Sequence, residues 1–263
     1  NGELQKVLEA AGVAFTGSGS IASYHAFDKL LAKQIVGKAG LTLAKHFEFS
    51  ASSIHKNSDP LKRFLESEKE IICKPIEAGS SFGLYRIKFD SENDEEFRSA
   101  VLGISRTDYD RYVAETFIAG RELTVGVFQN GETLQALPPS EVRTQQGKNF
   151  DYEGKYLGKG SLEITPAEIS ETEAKAAQDV AIRAHRALGC EGYSRTDMIL
   201  TNQGLVFIET NTLPGLTKAS FIPQQLAVAK IPFEKFLRTI LDLAIQRREF
   251  TLKKAPRSTT VKA

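Results

Sequence analysis

Two strand-like runs, residues 193–200 and 205–211, are linked through Asn202-Gln203-Gly204, and so short a link obliges the chain to fold back on itself as an antiparallel ribbon. A three-residue loop with Gly204 in the left-handed position predicts that residue 201 opposes 205. Asp197 then opposes Glu209 and Arg195 opposes Asn211, and the period of two puts all four side chains on one face. Two facing carboxylates repel unless a cation lies between them. Donors that are all oxygen, with no His or Cys, suit a hard ion, so Mg2+ is expected, completed by water and phosphate oxygens. The competing reading, a solvated hairpin with scattered polar residues, leaves an acid, acid and amide set beside apolar neighbours unexplained.

At 263 residues and 41% hydrophobic content the chain can bury one large core or two smaller ones. A net charge of +1 gives no overall electrostatic case for nucleic acid or membrane binding. Cys73 and Cys190 form neither a metal spacing nor a disulfide framework, which fits a reducing compartment, and a cytoplasmic setting is expected. No apolar stretch approaches a membrane span, and the chain starts with Asn1 rather than Met.

Along the chain, residues 3–11 read as a helix, 13–15 as a short strand, and Thr16-Gly-Ser-Gly-Ser20 as a turn into one helix over 23–39. Residues 1–22 cannot enclose a core and are read as the end of a lobe with earlier strands upstream. Residues 23–118, with strands at 43–49, 70–74, 84–89 and 112–117, form a central unit, and 119–246 a carboxy-terminal one. Residues 138–162 have little apolar periodicity and are expected to be a long mobile loop. Ser170-Glu-Thr-Glu173 is a capping box opening a helix that Gly189 stops, and a last helix covers 233–247. Residues 247–263, with six Lys or Arg and only Glu249 as an acid, read as a disordered basic tail or linker.

The run Ile71-Ile-Cys-Lys-Pro-Ile-Glu-Ala-Gly-Ser-Ser-Phe-Gly83 is a strand ending in Lys74 followed by a loop carrying Gly79, Ser80, Ser81 and Gly83. Glycines let backbone N–H groups turn toward an anion, serines add donors, and the lysine supplies a fixed charge. The lysine precedes the glycines and no helix follows at once, so this is not a P-loop. Lys29 lies near a helix start, where a bound anion would suit it. The strand end Val113-Ala-Glu-Thr-Phe-Ile118 with Gly120-Arg-Glu122 offers backbone groups and two carboxylates to a base and ribose. Each of these alone has a bland alternative: a Gly-Ser turn, a solvated lysine, exposed acids.

Asn1-Gly-Glu-Leu-Gln, Phe15-Thr16-Gly-Ser-Gly, Asp28-Lys29, Lys74-Pro75 with Gly79-Ser-Ser-x-Gly83, Phe150-Asp-Tyr-Glu-Gly-Lys-Tyr156, Gly192-x-x-Arg-x-Asp197 and Glu209-x-Asn-Thr-x-Pro-Gly-x-Thr217 follow one another along the chain. In this order they resemble the ATP-grasp superfamily, and within it the D-alanine:D-alanine ligase family. The resemblance runs from the first residues to about Ile245. It implies an α+β ATP-grasp fold, two α/β lobes gripping ATP between antiparallel sheets, with a remnant of a Rossmann-like amino-terminal lobe.

The same resemblance implies that Lys29 and Lys74 hold the phosphates with Ser81 beside them, that Glu115 and the backbone at Ile118 read adenine, and that Glu122 holds the ribose. Lys155 would reach the transferred phosphoryl group, and Asp197, Glu209 and Asn211 would bind two Mg2+ ions, with Mn2+ an admissible replacement. Arg195 and the backbone at Gly215 would stabilise an oxyanion, Ser80 and Tyr156 would close the loop over the first D-alanine, and Ser220 would hold the second substrate's carboxylate. The family makes D-alanyl-D-alanine through an acylphosphate, for peptidoglycan precursors. The Lys155-Tyr156 pair looks like the dipeptide-forming branch, and Phe221 stands where the family often has Leu or Met.

The family's amino-terminal lobe supplies a glutamate for the first D-alanine and a His-Gly segment, and the chain starts downstream of both. Its dimer contacts fall largely in that lobe, so a homodimer is left open. His25, His46, His55 and His185 lie outside the motifs. Two alternatives follow: a related ligase using D-serine or D-lactate as acceptor, or a nucleotide-binding fragment of a larger protein, inactive alone.

Overall fold

The computed structural model describes residues 1–79, 82–144 and 161–254, and in it the chain forms two antiparallel sheets. Three helices come first: α1 (Glu3–Ala10), α2 (Ser20–Phe27) and α3 (Lys29–Lys38). The expected single helix over 23–39 is broken at Asp28, whose backbone is extended (ψ 107°) and whose carboxylate caps α3 by accepting from the Leu30 and Leu31 N–H groups at 3.0 and 2.9 Å. Aspartate is a strong helix-starting residue, and here it overrides the propensity of its neighbours. The break makes Lys29 the first residue of α3. Residues 13–15, expected as a strand, have no strand pairing. They are held instead by Arg247, which donates to the carbonyls of Phe15 and Gly17 at 2.8 Å each.

The first sheet has the order β1-β4-β2-β3, built from β1 (His46–Ser50), β2 (Glu70–Pro75), β3 (Tyr85–Lys88) and β4 (Arg111–Thr116). Helices α4 (Ala51–Ile54), α5 (Asp59–Glu68) and α6 (Glu95–Ile104) cover one face. They place Leu61, Leu65, Phe97, Ala100 and Ile104, residues three or four apart along each helix, against Ile71, Cys73, Tyr112 and Ala114. Strand periodicity then sends Lys74 and Glu115 to the opposite face.

The second sheet has the order β10-β9-β5-β7-β8, with β6 also paired to β5. Its strands are β5 (Arg121–Asn130), β6 (Thr133–Ala136), β7 (Ser140–Thr144), β8 (Ser161–Ile164), β9 (Tyr193–Thr201) and β10 (Gly204–Asn211). The interval 138–162 thus begins and ends in paired strand rather than loop, with Glu141 opposite Ile164 and Arg143 opposite Leu162. Its polar character misleads because Glu141 is buried by ion pairs instead of apolar packing: Arg121 and Arg143 reach it at 2.6 and 2.8 Å and hold its carboxyl down at about 2. Residues 145–160 lie outside the described part.

Helix α7 (Glu171–Leu188) has the capping box at Ser170 and Glu173 and stops at Gly189 (φ 73°), as the sequence leads one to expect. It packs Ala177 and Ala181 on Leu123, Val125, Met198 and Leu200. On the other face lie α8 (Phe221–Val228) and α9 (Phe233–Lys254). The last helix runs on through Lys254, so residues 247–254 are helical and not a free tail. Arg247 explains the extension, since it also pairs with Glu191 at 2.7 Å and ties the helix to the start of the chain.

The sheets are joined where residues 42 and 43 run beside β10: Phe207 N–H donates to the Thr42 carbonyl at 2.9 Å and Leu43 makes a parallel bridge to Phe207. Among the described residues no helix is long and apolar enough to cross a membrane.

Candidate active site

The β9–β10 hairpin delivers its facing pairs by an unexpected route. Thr201 pairs with Gly204, not with residue 205, so the loop has two residues. That register alone would set Ile208 opposite Asp197. A bulge between Phe207 and Glu209 absorbs the extra residue, and beyond it Asp197 faces Glu209 and Arg195 faces Asn211 as expected. Thr196 and Thr210, one step out of phase, turn inward and hydrogen-bond at 3.0 Å.

Asp197 is held by two residues. Arg195 grips it with both arms, Nε to Oδ1 at 2.9 Å and Nη2 to Oδ2 at 2.8 Å, and the Thr124 hydroxyl donates to Oδ1 from β5. The Arg195 guanidinium stands 5.7 Å from the Phe221 ring centroid. Asn211 Oδ1 accepts from Leu213 N–H at 2.9 Å, which fixes its amide. Two carboxylates and an amide oxygen on one face fit a hard divalent ion.

The first sheet supplies the basic half. Glu115, 4% exposed, is shared by two lysines, Lys74 at 3.2 Å and Lys33 at 3.4 Å. Burial pushes its carboxyl up, but the two ammonium groups outweigh burial and hold it below the ordinary range. Burial pulls Lys33 down, because it has only half of one carboxylate in return. Lys29, held by the carbonyls of Ile76 and Ala78, is also lowered by burial, with Lys74 pushing the same way and Glu209, Glu115 and Asp28 opposing. The Glu209 contribution puts the hairpin's acid within electrostatic reach of Lys29. Three lysines and Glu115 carry a surplus of positive charge, apt for a polyphosphate.

Lys33, buried against Glu115, is a residue of the candidate site that sequence reasoning missed. It lies one helical turn after Lys29, and that spacing of four on a capped helix was the available signal. Ile118 follows the end of β4, and Glu122 lies on β5 opposite Ile199 and Val142. Gly215 lets Ser220 come close, since a Cβ there would stand 2.6 Å from the Ser220 hydroxyl, which bonds to Thr217 Oγ1 at 2.9 Å. Ser80, Ser81, Lys155 and Tyr156 lie outside the described residues. Cys73 and Cys190 are buried, and burial pushes both thiols up, so neither is poised as a thiolate.

His185, on α7 behind the hairpin, bonds through Nδ1 to Ser194 Oγ at 2.7 Å, and burial pulls its imidazole down to about 4. The folded protein keeps it neutral while the unfolded chain takes up a proton near pH 6.5. Its contribution is therefore fully present above about pH 6.5 and is lost as pH falls toward 4, a change of about 3 kcal/mol. Urea unfolding of His185→Asn should show a flatter loss of stability across that window, and a slope equal to the parent's would refute the assignment.

Two antiparallel sheets, one presenting lysines and the other an acid, acid and amide hairpin, define an ATP-grasp protein. Residues 35–242 match the family model described as the D-ala D-ala ligase C-terminus. A D-alanine–D-alanine ligase from Leptospira interrogans is 39% identical over 252 residues, 94% of this chain and 70% of the relative. The VanG D-Ala:D-Ser ligase from Enterococcus faecalis superposes with a TM-score of 0.78 at 30% identity, over 92% of this chain and 68% of that one. A D-alanine–D-alanine ligase from Bacillus anthracis complexed with ATP gives 0.75 at 25% identity, over 95% and 76%. This chain belongs to the D-alanine–D-alanine ligase family.

Proposed function

We propose that the protein joins two D-alanines into D-alanyl-D-alanine at the expense of ATP, for peptidoglycan precursors made in the cytoplasm. The observation that carries this reading is the 39% identity to a D-alanine–D-alanine ligase across 94% of the chain. The γ-phosphoryl group passes to the carboxylate of the first D-alanine, giving ADP and an acylphosphate. The amine of the second attacks the acyl carbon, the C–N bond forms as the C–O bond to phosphate breaks, and the amine gives up a proton.

Residues 23–118 and 119–246 would be the two halves that grip ATP. Lys29 and Lys74 bind the phosphates, and Lys33, touching Glu115, keeps that carboxylate ionised where adenine is read beside the Ile118 backbone. Glu122 takes the ribose. Asp197, Glu209 and Asn211 would hold Mg2+, or Mn2+ in its place, and the ions when bound neutralise charge on the phosphate oxygens. Arg195, on the same face as Asp197, would stabilise the oxyanion together with the Gly215 backbone. Ser220 orients the acceptor carboxylate. Ser80, Ser81, Lys155 and Tyr156 complete the set on family grounds.

The test is ADP release with D-alanine, D-serine and D-lactate offered as acceptors. D-alanine is expected to stimulate it most, and no stimulation by D-alanine would sink the reading. The likeness to VanG makes D-serine the acceptor to compare first.

A further inference from the structure

Gln225 is wholly buried on α8, a helix whose other inward residues, Ile222 and Leu226, are apolar. Its amide fills a gap in the second sheet. Along one edge, β5 pairs with β7 as far as Thr124 and with β6 from Val127 onward. The chain between β6 and β7 is Leu137-Pro138-Pro139, and proline has no N–H to give. The Leu137 N–H serves the Gly126 carbonyl at 2.8 Å, so the Gly126 N–H has no strand partner on that edge, while Thr124, facing Ser140, is the last pair of the β5–β7 ladder.

Gln225 reaches both positions. Its Oε1 accepts from Gly126 N–H at 2.9 Å, and its Nε2 donates to the Thr124 carbonyl at 2.9 Å and to Ser140 Oγ at 3.0 Å. The side-chain amide thus stands in for one peptide group of a missing strand. Glycine at 126 lets the helix come this close, since a Cβ there would overlap Ile222 Cδ1 and lie 2.7 Å from Gln225 Oε1. The peg has a functional address at each end. Thr124 is the residue whose hydroxyl holds Asp197, and α8 begins immediately after Ser220.

We propose that Gln225 is a positioning residue that fixes α8, and with it Ser220 and the acceptor subsite, to the strand that braces Asp197. This rests on the ligase reading with Ser220 at the acceptor carboxylate. The six-stranded sheet keeps its remaining ladders without the peg, so the helix is the part that loosens. Its loss therefore weakens the second substrate's binding and spares the first half-reaction.

The experiment compares Gln225→Met, which keeps volume but has no amide, with the parent protein. Two readouts are used: KM for the acceptor D-alanine, and positional isotope exchange in ATP with D-alanine present, which reports acylphosphate formation before the acceptor attacks. Expected are a tenfold or greater rise in acceptor KM and exchange within twofold of the parent. Ser140→Ala, which removes one of the three bonds, should raise acceptor KM two- to threefold and serves if the first variant does not fold. Equal loss in both readouts would reduce Gln225 to a framework residue and overturn the proposal, as would an unchanged acceptor KM in a parent that is active. A parent with no D-alanine-dependent ADP release would overturn the ligase reading and this inference with it.

Discussion

Asp197→Asn should lower D-alanine-dependent ADP release by about two to three orders of magnitude, with the fold intact by circular dichroism. One carboxylate of the facing pair would be gone, and a loss of about 3–4 kcal/mol of transition-state charge stabilisation corresponds to that fall in rate. The amide keeps the shape and can still accept from Thr124. It cannot hold Arg195 as an ion pair or bring a hard cation close. Glu209→Gln should fall by a similar factor, because the two acids act on the same charge. A loss of less than tenfold in either variant would show that the hairpin does not carry the chemistry.

Lys33→Met should cost about 3 kcal/mol of stability, the low end for removing one member of a buried ionic cluster, because Lys74 still holds the other Glu115 oxygen. For a chain of this size the melting temperature would fall by about 6–12 °C. The side chain is 1% exposed, so screening by solvent gives no relief. A second substitution tells the causes apart. If the cost is an unpaired carboxylate, Lys33→Met combined with Glu115→Gln recovers most of the stability, while ATP affinity stays low because the carboxylate expected to read adenine is gone. A double variant no more stable than Lys33→Met would point to lost packing instead. Calorimetry and nucleotide titration on the two single variants and the double one close the cycle.

The facing acids were legible because pairing parity survives an error in the turn: a three-residue loop without a bulge and a two-residue loop with one give the same partners at Asp197 and Arg195. Lys29 was legible as a residue near a helix start, but the break at Asp28 that makes it the first residue of α3 was not, since the cap shows only once the Leu30 and Leu31 N–H groups are seen to need it. Lys33 escaped because a lysine on a polar helix normally lies in water, and only the buried Glu115 from a strand 82 positions along the chain pulls it in. The strands β7 and β8 escaped for a related reason: their inward charge is neutralised by Arg121 and Arg143, and apolar periodicity is blind to ion pairs. Gln225 was unreadable from its own helix, because its backbone partners, Gly126 N–H and the Thr124 carbonyl, lie on β5, 99 and 101 positions away.

The bulge at Ile208 has a bearing on how such hairpins tolerate change in length. The pairs on either side, Phe207 with Met198 and Glu209 with Asp197, are already consecutive on β9. A descendant lacking Ile208 would keep every pairing of the hairpin and lose the local twist that a bulge adds. Spare length is thus stored beside the ligands instead of in the turn, so the ribbon can trade a residue while the identity of the facing acids stays fixed.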